Sequence, residues 1–458
     1  MHALIRRAFR FLTYVAAAAV MLLALLVGIA RLLLPRVPEY QDDIRTWAVQ
    51  ATGFELRFEH ISASWPITGP EIQFLEVTVQ SPQDHQPVFT AERLDIGVSL
   101  ISLLRDRAVV VSRVGVEGTR VEIRRGAGNV FEVQGRQLAD YLPARDPQAS
   151  LRLPELDFEL SGIEVAYRDV ERSGDVLDFT IRNLDLRLGD SDLSLDGDVT
   201  LSSRFGERAA VSIDVPLGVL ESVLADGDAD EEPNAEEWSA YVTGEALDFA
   251  HIVGYALDMA TPLANMRGDI VVWAGFTGTG PTGVTAELDF TDVELHRSPD
   301  LVDRYEEISG RIEWERDADG WLLAGSGLNL RREGRFSPRS DFSLRLRGAA
   351  DEKTRQWQGS AAFLRLQDWF PILRAIVTED VRDQMLPSDV SGDIRDLALG
   401  LRSTPGGDTE FDLNLRFDDL GIAGLPGGRT LTGMTGAVVA DQDGGRLELD
   451  SDKVVGSM

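Results

Sequence analysis

Beyond Gly53 the chain alternates apolar and polar residues with a period of two, and this rhythm limits its fold more than any other feature. In "IRNLDLRLGDSDLSLDGDVTL" (residues 181–201), Leu184, Leu186 and Leu188 oppose Asp185 and Arg187. After the polar turn Gly189-Asp190-Ser191-Asp192, the residues Leu193, Leu195, Val199 and Leu201 oppose Ser194, Asp196, Asp198 and Thr200. Strand side chains alternate between faces, so this is a hairpin with one apolar face and one wetted face. Leu94, Ile96, Val98 and Leu100 repeat the pattern, as do Val121 and Ile123, Val211 to Val215, Val284 to Phe290 (with Leu288), Phe342 to Leu346 (with Leu344), and Phe411 to Phe417 (with Leu413 and Leu415).

Helical patterns are sparse: Pro216 to Ala225, Phe249 to Ala260, Pro299 to Ile308, and Leu366 to Met385, which contains Pro371. Nothing resembles the strand–helix alternation of a parallel fold. The expected architecture is mostly β: an elongated, twisted antiparallel sheet curled into an open hydrophobic groove, with a few short helices. Its apolar face must curl on itself, meet a second sheet or hold lipid.

Repetition divides the sheet. "SGDIRDLALGL" (391–401) echoes "RGDIVVWAGF" (267–276), the Gly-Asp-Ile triplets starting 124 residues apart (392 minus 268). "MTGAVVADQDGGRLELDS" (434–451) echoes "ISGRIEWERDADGWLLAGS" (308–326), with Gly310 and Gly436 separated by 126 (436 minus 310). Each second block enters after Gly, turns at Asp-Gly or Gly-Gly, and returns as a hairpin. The resulting plan is an anchor at 1–36, an N-terminal β module at 37–225, an acidic linker at 226–238, and β repeats at 239–355 and 356–458.

Near the N-terminus, residues 11–30 run without a charge for about 20 residues, the length of a membrane-crossing helix. Arg6, Arg7 and Arg10 precede the run and hold the N-terminus in the cytoplasm, against the weaker opposing pull of Arg31 and Arg36. The rival reading is a cleaved signal peptide, with Gly28 and Ala30 at the cleavage site. Next, "EYQDDIRTWAVQATG" carries Tyr40, Ile44, Trp47, Ala48 and Ala51 at helical spacing. This short amphipathic helix rests at lipid headgroups or plugs the end of a sheet.

Composition narrows the function classes. A net charge of -31 spread along 458 residues opposes a nucleic-acid partner. The chain has no cysteine, which excludes disulfides, thiolate catalysis and Cys-ligated metals. "GTGPTG" (278–283) fits G-x-G-x-x-G, but a strand follows where a dinucleotide site needs a helix, so it reads as a hairpin turn. "DGDADEEPNAEE" (226–237) has calcium-loop spacing, but Glu231 stands where that loop needs glycine and Pro233 interrupts it, so it reads as a solvated linker. The five histidines share no metal-ligand spacing. No G-x-S-x-G elbow or Walker loop is present, and the many carboxylates, among which a glycosidase pair is the alternative, read mostly as strand-face or turn residues, so the chain is read as a non-enzyme without cofactor or metal.

The anchor, the helix after it, "GFELRFEHISASWPITGPEIQFLEVTVQS", "PVFTAERLDIGVSLISLLRDRAVVVSRVGVEGTRVEIRR" and "GNVFEV" together resemble the N-terminal module of the AsmA-like proteins, specifically the YhdP branch. "LDFAHIVGY" and "LRLQDWFPI", each entering a short helix from a strand, fit that branch's repeats. The resemblance covers essentially the whole chain. It implies a single-pass inner-membrane anchor and a long groove-shaped sheet in the periplasm. It further implies carriage of phospholipids between inner and outer membranes in support of outer-membrane integrity, with an outer-membrane or periplasmic protein partner and no catalysis. Members of the branch are typically longer, so the chain is read as an N-terminal fragment. On the order of 25 strands at about 4.8 Å would make a groove roughly 120 Å long.

Under this reading the lipid-facing residues are Leu94, Ile96, Val98, Leu184, Leu186, Leu188, Leu193, Leu195, Leu288, Phe290, Leu344, Leu413 and Leu415. The competing reading of the same face is the core of a sandwich. Competing functions are a periplasmic scaffold or chaperone for outer-membrane proteins, which would bind strands by edge pairing, and an envelope hydrolase.

Overall fold

The computed structural model describes residues 55–64, 70–80, 87–99, 102, 105, 110–126, 130–137, 156–171, 175–189, 191–219, 236–257, 263–278, 280–298, 301–348, 355–376, 390–403, 410–425, 429–451 and 454–457. The apolar run at 11–30, the amphipathic helix at 40–53 and the acidic stretch at 226–235 lie outside them. Among the described residues no helix is long and apolar enough to cross a membrane. The chain divides into two compact units, residues 1–200 and 201–458.

The first unit contains β1 (Glu55–Arg57), β2 (His60–Ser64), β3 (Glu71–Gln80), β4 (Pro87–Val98), β5 (Val111–Arg125), β6 (Phe131–Val133), β7 (Arg136–Gln137), β8 (Leu156–Asp169), β9 (Val176–Leu188) and β10 (Asp192–Thr200). β1 and β2 share one edge of β3, which leads on through β4 to β5. β8, β9 and β10 complete the sheet beyond β5. The pairing of β5 with β8 is parallel, a departure from the all-antiparallel expectation. Between them β6 turns back along the end of β5 and β7 pairs with β6, while β8 begins beside Arg113 near the start of β5. The core sits under the first strands, where Leu56, Phe58, Ile61, Phe74, Val77, Val79 and Leu94 pack together.

The second unit contains β11 (Arg208–Pro216), β12 (Glu237–Asp248), α1 (Phe249–Leu257), β13 (Leu263–Thr277), β14 (Gly280–Ser298), β15 (Leu301–Asp317), β16 (Gly320–Arg332), β17 (Arg335–Phe336), β18 (Ser340–Gly348), β19 (Arg355–Arg365), α2 (Leu366–Ile376), β20 (Val390–Ser403), β21 (Glu410–Leu425), β22 (Arg429–Asp441), β23 (Gly444–Leu449) and β24 (Val455–Ser457). From β11 to β16, and from β18 to β23, each strand pairs antiparallel with its successor, and β16 also pairs with β18. This is an open meander, mostly β as expected.

A row of bulges crosses the meander. Ala246, Asp292, Asp396 and Asp419 have φ of 49°, 51°, 53° and 50° inside strands, and register shifts accompany them at 244/247, 395/398 and 417/420. A left-handed residue in a strand adds local twist and bends it. Past the bend, Phe290, Val293, Leu295, Tyr305, Leu328, Leu330 and Trp369 form a closed core against α1 and α2. Phe249 of α1 meets Phe290 edge-on at 4.9 Å, and Trp369 of α2 meets Phe342 at 6.3 Å.

The bend explains one wrong expectation. Residues 301–308, read as helical, lie in β15. Tyr305 and Ile308, three residues apart, both reach the helix-capped core, as do their partners Val293 and Phe290 on either side of Asp292, whose φ is 51°. The helices at 249 and 366 do form, and "GTGPTG" is a β13–β14 turn.

The repetition is structural as well. Each helix follows a strand and leads into a strand whose glycine has positive φ, Gly268 (157°) and Gly392 (110°). A Cβ on Gly268 would stand 2.0 Å from Asp289 O, and one on Gly392 2.7 Å from Leu420 Cα. Close backbone approach thus requires glycine at both places.

Candidate functional site

Cross-strand register decides which side chains share a face. In the second unit one row of direct neighbours runs Ile213, Ala240, Ala274, Val284, Trp314, Leu323, Leu344, Gly359, Leu399, Leu413, Ala440. No polar side chain interrupts it. A second row on the same face runs Val211, Val242, Val272, Ala286, Ile312, Gly325, Phe342, Ala361, Leu397. The adjacent row on the opposite face runs Ser212, Tyr241, Trp273, Thr285, Glu313, Ala324, Ser343, Ser360, Ala398, Asn414, and is mostly polar.

The first unit repeats the arrangement. Ile72, Ile96, Val114, Phe158, Leu186 and Leu195 form one row, and Phe74, Leu94, Val116, Leu160, Leu184 and Gly197 the next. Leu188 pairs with Leu156 and Leu193. The opening hairpin therefore has the faces read from its sequence, with Asp185 paired to Asp196 on the other side.

Exposure divides the expected lining residues. Leu94 (6%) and Phe290 (3%) are buried in the two core clusters, and Leu188 (9%) is also buried. Ile96, Val98, Leu184, Leu186, Leu193, Leu195, Leu288, Leu344, Leu413 and Leu415 are only half-buried. Val98 stands at the strand end, past a register shift. Farther from the helices the apolar face is open: Val242 and Phe411 are exposed. In a sandwich core such residues would be covered.

Sequence reading missed Trp321, Trp357 and Leu401, which join this face through Leu346 in direct register. Alternation in "WQGSAAFLR" is hidden because Gly359 and Ala361, the inward positions after Trp357, carry little or no side chain.

The opposite face of the first unit is laced by ion pairs between neighbouring strands. Arg93 meets Glu117 at 3.1 Å, Arg120 meets Glu164 at 3.3 Å, and Arg113 donates to Glu159. Each contributes little to stability, but together they fix that face toward water. Asp95 is the exception. Burial, reinforced by repulsion from Glu71, pushes its carboxyl up to about 6, and Arg93 offsets this only partly from 4.0 Å.

The helix-capped end is fastened by polar groups. Tyr305 Oη donates to the Asp368 carbonyl at 2.6 Å, Ser337 donates to the Asp368 carboxylate, and Arg332 bridges Asp303 (2.9 Å) and the Gln367 carbonyl (2.7 Å). Asp248 caps α1 through the His251 amide at 3.1 Å. These carboxylates thus have structural partners, and among the described residues no group of histidines and carboxylates could hold a metal. What the paired rows offer within each unit is an uncharged apolar face.

A family model described as "YhdP protein" matches residues 1–455. No curated protein and no solved structure matches the chain.

Proposed function

Since the chain belongs to the YhdP family, we propose that it carries phospholipids along its apolar sheet face between the inner and outer membranes. Family membership indicates a role in lipid transport and the cell envelope. The finer reading is an inner-membrane protein with its N-terminus in the cytoplasm, anchored by residues 11–30, whose sheet curls into a groove in the periplasm and supports outer-membrane integrity. The observation that carries it is the uninterrupted apolar row from Ile213 to Ala440, half-buried where a closed core would be dry.

Each methylene taken from water contributes about 0.8 kcal/mol, so a tail of ~14 methylenes gains on the order of 11 kcal/mol. Neighbouring positions along the row are chemically alike, so a tail moves by exchanging equivalent contacts. The headgroup stays at the open side and needs no dedicated ligand.

Purification of residues 38–458 followed by mass spectrometry of bound lipid tests the proposal. Phospholipid should co-purify with the parent and with Asp185→Ser. It should fall by at least about fivefold in Leu186→Asp, whose carboxylate must leave water to share the face with a tail. A photo-crosslinking residue at 186 should capture lipid. Capture of protein alone at 186, with unfolding of Leu186→Asp, would identify the face as a sandwich core.

A further inference from the structure

The hydrophilic face of the second unit carries one feature that lipid carriage does not use. Tyr241 and Trp273 are cross-strand partners there, with rings 5.5 Å apart, and both are exposed, at 38% and 41%. Their neighbours in the row are Ser212 and Thr285, so no apolar cluster shelters them. Beside this aromatic ridge the next row is Asp214, Ser239, Gly275, Gly283, Glu315. Ser239, Gly275 and Gly283 at its centre leave a furrow beside the two rings, part of a cavity of about 670 Å³ that also touches the strand segments of Ala240, Ala274, Val284 and Trp314. Leaving two large rings in water is unfavourable, and exposed aromatics on a polar surface mark recognition sites.

The rim chooses the ligand class. Asp214 and Glu315 at the ends of the furrow row, with Glu313 beyond Thr285, outnumber the one lining cation among the described residues, Arg316, and repel polyanions, as does the charge of -31 on the whole chain. Nucleic acid and anionic membrane surfaces are thereby disfavoured. A wholly apolar partner fits poorly, because Ser239, Thr285, Asp214 and Glu315 border the rings on the furrow side and Thr243 and Glu287 stand with Val271 and Ala210 on the other. A pyranose ring meets both requirements: its axial C–H face stacks on an aromatic ring while its equatorial hydroxyls hydrogen-bond to Ser, Thr and carboxylate groups.

We propose that the furrow beside Tyr241 and Trp273 binds a linear, uncharged glycan, laid across the strands with its sugar faces against the two rings. The site is on the opposite face from the apolar rows and stands independently of lipid carriage.

Isothermal titration of the full chain in detergent with chitohexaose, maltohexaose and heparin tests it. Saturable binding of at least one neutral oligosaccharide and none of heparin is expected. Trp273→Ala should weaken that binding by about tenfold or more, while Trp273→Phe, which keeps a stacking face, should stay within about threefold. Gly283→Gln provides a second variant, since a Cβ there meets its nearest neighbour, Trp314 O, at 3.5 Å, an ordinary contact. It should fold like the parent and block the furrow. Failure of both neutral oligosaccharides to bind, tighter binding of heparin, or unchanged affinity in Trp273→Ala or Gly283→Gln would each overturn the proposal.

Discussion

Asp95 is the residue at which the charged face works against the fold. Its carboxyl ionises near 6 in the folded protein against 3.8 in the free side chain. The folded state therefore holds the proton more tightly, and stability falls as pH rises from about 4 to about 6. Asp95→Asn removes that loss. Chemical denaturation at about pH 7 should find the variant more stable by on the order of 1 kcal/mol, allowing for solvent screening, with little advantage near pH 4. Glycine makes the opposite point. Gly268→Ala would drive a Cβ to 2.0 Å from Asp289 O at φ 157°, and should cost ~3 kcal/mol. Gly254, inside α1 with nothing within 4 Å of its missing Cβ, should gain ~0.5–1 kcal/mol as alanine. Thermal unfolding of the two variants checks both signs.

Among the elements, α2 decides where the apolar face ends. Trp369 fills the core past the bulges while Asp368 is held by Tyr305 and Ser337. Trp369→Ala should cost ~3–5 kcal/mol and bare the apolar surface of β14 to β16, read as increased binding of a hydrophobic dye under native conditions. Tyr305→Phe removes one buried hydrogen bond and should cost only ~1–2 kcal/mol, with dye binding unchanged. Equal dye uptake in both variants would mean that the hydrogen bond, and not the indole, holds the helix down.

For the whole molecule the central expectation is topology. Arg6, Arg7 and Arg10 ahead of the apolar run predict that a periplasm-active reporter fused after Arg36 is active and one fused at the N-terminus is silent. Soluble protein with a new terminus near Arg31 would instead establish a cleaved signal peptide.

Much of the architecture was already written in the sequence. Period two in residues 181–201 specified both faces of the β9–β10 hairpin, because alternation is a local property of extended backbone. The repeated Gly-Asp-Ile triplets marked equivalent strands, because close backbone approach admits only glycine. Three features needed the tertiary structure. The parallel pairing of β5 with β8 joins residues far apart in sequence, and no local pattern encodes which strand lies beside which. Residues 301–308 mimicked a helix because Tyr305 and Ile308, three apart, both turn into the core opposite Val293 and Phe290, on either side of the left-handed Asp292. Last, the separation of Leu94 and Phe290, sealed in cores, from Leu344 and Leu413, left half-open, depends on where α1, α2 and the bends close over the sheet. Alternation assigns a face to a side chain; what covers that face is set by contacts between distant segments.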